Sequence, residues 1–166
     1  MIVAATGFST TRYVHPAEYR GRGGARLEDA WQSKGPRAYM GACVPGFPNF
    51  FMMYGPNGQT RSSGLVPFME QWARYIALSI CAVIERGAGS IEVRPEAFEA
   101  YNAAIDAASE EIVWNLAPPG KNYYLNEYGR QHVSAPWVAE HSYELLRKPR
   151  LDDFIFGGGA ASRSTG

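Results

Sequence analysis

Residues 49 to 58 read Asn-Phe-Phe-Met-Met-Tyr-Gly-Pro-Asn-Gly, and the architecture turns on how this stretch folds. The run Asn49 to Tyr54 shows no polar alternation and is closed by a dense turn signal, Gly55-Pro56-Asn57-Gly58. That is the pattern of a strand covered on both faces in a parallel sheet. Ile2-Val3-Ala4-Ala5, stopped by Thr6-Gly7, has the same character, and Met1 stands at its very edge. Interior strands need neighbours on both edges, because backbone groups buried without partners are costly. Too few other strand candidates exist to supply them, so the expectation is an α/β fragment whose sheets are completed by another part of a larger protein.

Outward from the turn, Leu65, Met69, Trp72, Ile76, Ile80 and Val83 recur at steps of three and four, which predicts a helix from about Leu65 to Arg86. Ser62 or Ser63 is the expected cap, Pro67 falls in the tolerant first turn, and Gly87 suits the end. A short strand, Ser90 to Val93, precedes Pro95, which opens a second helix with the stripe Phe98, Tyr101, Ile105, Ala108 and Ile112 and a stop before Pro118. The segment before residue 49 is mostly loop, with a short helix around Leu27 to Trp31. Residues 121 to 130 suit an aromatic turn or hairpin, residues 136 to 147 a last short helix, and the Gly-, Ala- and Ser-rich end a flexible tail.

Sixteen basic residues balance sixteen acidic ones in a chain of 166, so no net field draws it to nucleic acid or to an anionic membrane. With no run of about 18 apolar residues and no leader pattern, cytoplasmic placement is the expectation. Cys43 and Cys81 lie far apart and read as reduced thiols. His15, His132 and His141 lack zinc-ligand spacing, so no metal is expected.

Several stretches resemble one family in order. Ile2 to Phe8 is similar to the strand ending in Ala-Thr-Gly-Phe that closes the nicotinamide-nucleotide domain of flavin-containing and Baeyer-Villiger monooxygenases. Gly21-Arg22-Gly23-Gly24, Leu27 to Trp31 and Gly35 to Gly41 match the loop that follows in the Baeyer-Villiger group. Val44 to Phe51, running into Tyr54-Gly55-Pro56-Asn57, carries the resemblance most strongly. Asn122 to Asn126 with Gly129-Arg130, and Leu145 to Pro149, look most like the 4-hydroxyacetophenone monooxygenase branch, which oxidises aryl ketones. The resemblance spans roughly residues 1 to 150. The family's glycine-rich phosphate loops, its fingerprint motif and its active-site arginine have no counterpart here, and Ser9 stands where many relatives carry an acid.

The resemblance implies a fragment of a flavoprotein with two dinucleotide-binding, Rossmann-like domains. Residues 1–10 would be the last strand of the NADPH domain, 11–48 a linking loop, 49–152 the carboxy-terminal part of the FAD domain with a helical extension, and 153–166 a flexible tail. The implied reaction inserts one oxygen atom of O2 beside a ketone carbonyl, with FAD and NADPH as cofactors and with this chain inactive alone. The rival readings are a non-catalytic remnant or subunit that folds against a partner carrying the missing domains, and a nitrogen- or sulfur-oxygenating flavin monooxygenase fragment; the partner expected is the missing amino-terminal portion as a separate chain, or a further copy in a homo-oligomer. Candidate cofactor-binding residues are Thr6, Gly7, Gly55, Pro56, Asn57, Gly58, Gln59, Ser62 and Ser63, where small residues and a helix start would let backbone amides approach the flavin. For each a plainer structural role stands beside the functional one. Arg22 and Arg26 toward a nucleotide phosphate, Trp31, Phe68, Met69 and Trp72 around a ketone, and His15 and His132 in proton transfer are further candidates. Each of those is more ordinary as a solvated charge, a core side chain or a satisfied histidine.

Overall fold

A computed structural model describes residues 1–4, 12–62, 64–113 and 123–158. Its centre is helix α2, Leu65–Glu85. Pro67 sits in its first turn, and Gly87, at φ 58, ends it with an amide donated to the Ile84 carbonyl. At its start Gly64 is the cap residue, and among the described residues no side chain caps the helix, Ser63 lying outside them.

The apolar stripe read from the sequence is in fact two stripes. Phe68, Trp72, Tyr75, Ser79 and Ala82 face the core. Rotated by roughly 140° around the axis at about 100° per residue, Val66, Met69, Ala73, Ala77, Ile80 and Ile84 lie exposed, with Val66 at 68% and Ile84 at 71% of full exposure. Both follow the three-and-four spacing of a helix that packs on two sides. The expected positions Leu65, Met69 and Ile80 belong to the exposed side, and only Trp72 of that set is fully buried.

Preceding α2, helix α1 is a single turn, Leu27–Ala30. After α2, strand β1 (Ser90–Val93) leads into helix α3 (Pro95–Ser109), with Pro95 at the start as its fixed φ favours. Helix α3 buries Phe98, Asn102, Ile105 and Ser109, so two of its four inward positions are polar, and Tyr101 is half-buried. Helix α4, Ala139–Leu146, packs on α2 through Tyr143 and Phe68, whose ring centroids are 4.5 Å apart. Residues 154 to 157, expected in the tail, form strand β2 (Phe154–Gly157), antiparallel to β1 with Ile91 opposite Phe156 and Val93 opposite Phe154. Ile91, Val93 and Phe154 point into the main cluster around α2. A second cluster gathers Leu27, Trp31, Ala38, Val44, Phe47 and Met52.

Residues 49 to 54 are not a strand. Asn49 and Tyr54 are left-handed, at φ 58 and 61, and bend the run at both ends. Between them Met52 donates to the Ala42 carbonyl at 2.8 Å, while Asn49 exchanges hydrogen bonds with Ile91 through its amide and its side-chain oxygen. The run winds over the loop of residues 38 to 47, which buries Met52, half-buries Phe50, Phe51 and Tyr54 and leaves Met53 exposed, a solution that periodicity alone does not distinguish from a strand. The four described residues of the first expected strand, Met1 to Ala4, are exposed and unpaired, and Ala5 to Thr11 lie outside the described residues.

Candidate cofactor-facing site

Gly55, Pro56, Asn57 and Gly58 are all buried. A side chain at Gly55 would collide with the Gly41 carbonyl, and one at Gly58 would come within 2.7 Å of the Gly55 carbonyl and 3.0 Å of Trp72. Both glycines are therefore required by packing inside this chain. The turn's amides are likewise committed. Gly55 donates to Gly41, Gly58 to Gly55, Asn57 to the His132 carbonyl at 2.7 Å and Gln59 to the Val133 carbonyl at 3.1 Å. Asn57 and Gln59 thus hold the segment 131 to 135, and the Asn57 side chain adds bonds from Nδ2 to the Gln131 and Ser134 carbonyls, each 3.0 Å. The left-handed Asn57, at φ 57, is a conformation that asparagine tolerates well.

Arg130 anchors this arrangement from below. Its guanidinium donates to Asp106 Oδ1 at 2.7 Å, Asn102 Oδ1 at 3.0 Å and Asn57 Oδ1 at 3.2 Å. Burial lowers its pKa, but Asp106 opposes that, and an arginine keeps its charge in such a setting. Beside it His132 is fully buried, and burial first, then the Arg130 charge, pushes its pKa down to about 4. It is a neutral ring at physiological pH and a poor acid-base group there. The loop preceding it is tight: Asn126 Oδ1 accepts from the amides of Tyr128 and Arg130, and Leu125 bridges Gln131.

The sequence candidates therefore divide. Gly55, Pro56, Asn57, Gly58 and Gln59 come together, but as a buried clamp. Ser62 is exposed just before the start of α2, and Thr6, Gly7 and Ser63 lie outside the described residues. Phe68 and Trp72 are core, with the Trp72 indole donating to the Met40 carbonyl, while Met69 is on the exposed face. Trp31 is core too, donating to the Arg37 carbonyl. Arg22 pairs with Glu92 and Arg26 with Glu28, ordinary ion pairs. Cys43 is buried and Cys81 exposed, both free thiols. The Arg130 network was missed, though one signal was present: Phe98, Asn102, Ile105 and Ser109 keep helical spacing and place a polar amide in the inward row.

Among the described residues, no group of three or more His, Cys, Asp or Glu side chains is placed to hold a metal ion, and no helix is long and apolar enough to cross a membrane.

The class this arrangement falls into is a mixed helix-and-strand segment that matches part of flavin monooxygenase structures. A steroid monooxygenase solved in its oxidized form with NADP superposes with a TM-score of 0.71 at 28% identity, covering 86% of this chain and 27% of that one. No family model matches the chain. Among curated proteins, an uncharacterized monooxygenase of Mycobacterium bovis is 36% identical over 165 residues, 99% of this chain and 32% of its own length. A Baeyer-Villiger monooxygenase of Pseudooceanicola batsensis is 32% identical over 93% of this chain and 30% of its own length. The chain thus spans between a quarter and a third of the length of these relatives.

Proposed function

We propose that this chain is the carboxy-terminal portion of an FAD- and NADPH-dependent Baeyer-Villiger monooxygenase, one that oxidises ketones with O2 and within the family stands nearest the aryl-ketone branch. When bound, FAD and NADPH supply the redox chemistry, and the protein supplies orientation and electrostatics. On this reading residues 1–10 belong to the NADPH domain, 11–48 to the linking loop and the rest to the FAD-domain part, which takes in strand β2 because β2 pairs with β1.

The observation that carries the reading is the exposed side of α2. A helix with a second apolar row, Val66 to Ile84, is built to be covered, and the relatives carry two thirds or more of their length beyond what this chain matches. The residues fit a flavin edge at one place. The turn amides are spent internally, but Leu65 and Val66, whose amides open α2 at its positive end, are exposed residues and have no side-chain cap among the described residues. They would favour electron density on a flavin placed there, with Ser62 beside them. The clamp at Asn57 and Gln59 would hold that helix start in position.

The chain alone is then expected to retain no flavin. Co-expression with the amino-terminal part of the Pseudooceanicola batsensis relative should give a yellow complex that converts acetophenone to its ester with NADPH. Stoichiometric flavin on the chain alone, or a yellow complex that oxidises amines or sulfides and no ketone, would overturn the reading. The same exposed row favours a second reading, a non-catalytic subunit; a complex that forms yet consumes no NADPH with any ketone would select it.

A further inference from the structure

A cavity of about 350 Å3 opens between α3 and α4, away from the residues assigned to the cofactor. Its size falls in the range of small-molecule sites, about 300 to 1,000 Å3. Helix α3 contributes Ala97, Ala100 and Ala104, so the floor is flat and free of long side chains. One wall is a run of rings: Tyr101 meets Trp137 at 5.7 Å between centroids, and Trp137 meets His141 at 5.1 Å. Such a slot accepts a planar apolar body.

One end of the slot is charged. The Tyr39 hydroxyl donates to Asp153 Oδ2, which commits that carboxylate to a partner within the chain. Arg150, an exposed residue, also lines the cavity, and its side chain makes no hydrogen bond or ion pair with any described residue. An exposed guanidinium with no hydrogen-bond or ion-pair partner among the described residues, at the end of an aromatic slot, is suited to a carboxylate, which it can grip with two parallel hydrogen bonds. The neighbouring Asp153 disfavours a ligand with more than one negative charge.

We infer that this cavity binds a small aromatic monocarboxylate, its ring against Tyr101 and Trp137 over the alanine floor and its carboxylate on Arg150. The site is independent of the oxygenase reading and takes an anion where that reading takes a neutral ketone.

Calorimetric titration of the full chain with 2-naphthoate tests it. Saturable one-to-one binding is expected, with a Kd on the order of 1 mM or tighter. Arg150→Gln should weaken 2-naphthoate by at least about tenfold while leaving the neutral 2-naphthylmethanol unchanged. Ala104→Leu sits at an exposed helix position where leucine is well tolerated. It should abolish binding of both compounds with helix content by circular dichroism intact, and Ala100→Leu should repeat the result. The inference is overturned by absence of saturable binding to the folded wild-type chain, by equal affinity in Arg150→Gln or in both leucine variants, or by tighter binding of a naphthyl trimethylammonium cation than of 2-naphthoate.

Discussion

The two sides of α2 carry the same kind of side chain at the same spacing and meet opposite fates. On one, Phe68, Trp72 and Tyr75 are enclosed by residues of this chain. On the other, Val66, Ile80 and Ile84 are open. Helical amphipathicity therefore reports that a face wants cover, and only the rest of the fold tells which part of the protein provides it.

Breaking the enclosed side should have the largest effect. Trp72→Ala removes an indole packed against Phe68 and Tyr54 and its bond to the Met40 carbonyl, and should cost about 3–5 kcal/mol, measured as a lowered urea midpoint at unchanged slope. Next comes the polar network beneath the turn. Arg130→Met leaves the oxygens of Asn57 and Asn102 without their donor and should cost about 3 kcal/mol by the same measurement.

Acid probes this network without mutation. The unfolded chain takes up a proton on His132 near the ordinary 6.5, whereas the folded chain resists until about 4. Stability contributed by the neutral ring is thus complete above pH 6.5 and lost as the pH falls toward 4, by at most roughly 3 kcal/mol. His132→Gln should flatten the pH dependence of the urea midpoint across that window. Glu99, whose pKa Arg37 lowers through a two-pronged hydrogen bond, adds a further loss at the acid end.

The open side should respond least. Val66→Ser with Ile84→Ser should shift the stability of the chain alone by no more than about 0.5 kcal/mol each. In the co-expression experiment the same pair should prevent the complex from forming. If the double variant destabilises the lone chain as much as Trp72→Ala does, the contrast between the two sides fails.

Local rules made the regular elements legible. Pro95 and Gly87 marked boundaries because their backbone constraints act within one turn, and Ser90 to Val93 alternates as a half-buried strand should. The run Asn49 to Tyr54 departs from a strand because an apolar stretch can be covered in part by curling over a loop, here with Met52 buried and Met53 left exposed, as well as by entering a sheet. What separates the two outcomes is the left-handed backbone at Asn49 and Tyr54, which tertiary contacts impose. Strand β2 was missed for a related reason: Phe154 to Gly157 is short, and its partner lies more than sixty positions earlier in the chain. At the candidate site, glycine spacing drew notice to residues 55 to 58 correctly. It could not reveal that their amides face Gly41, Gly55 and His132.

That last feature has a mechanical meaning. Four hydrogen bonds donated by Asn57 and Gln59, and a fifth that the Gln59 carbonyl accepts from the Ala135 amide, grip residues 131 to 135, joining stretches that sit some seventy-five positions apart. A polypeptide severed after Glu111 would still have its halves stitched together at this knot, so two separately made pieces should find one another and refold as a pair.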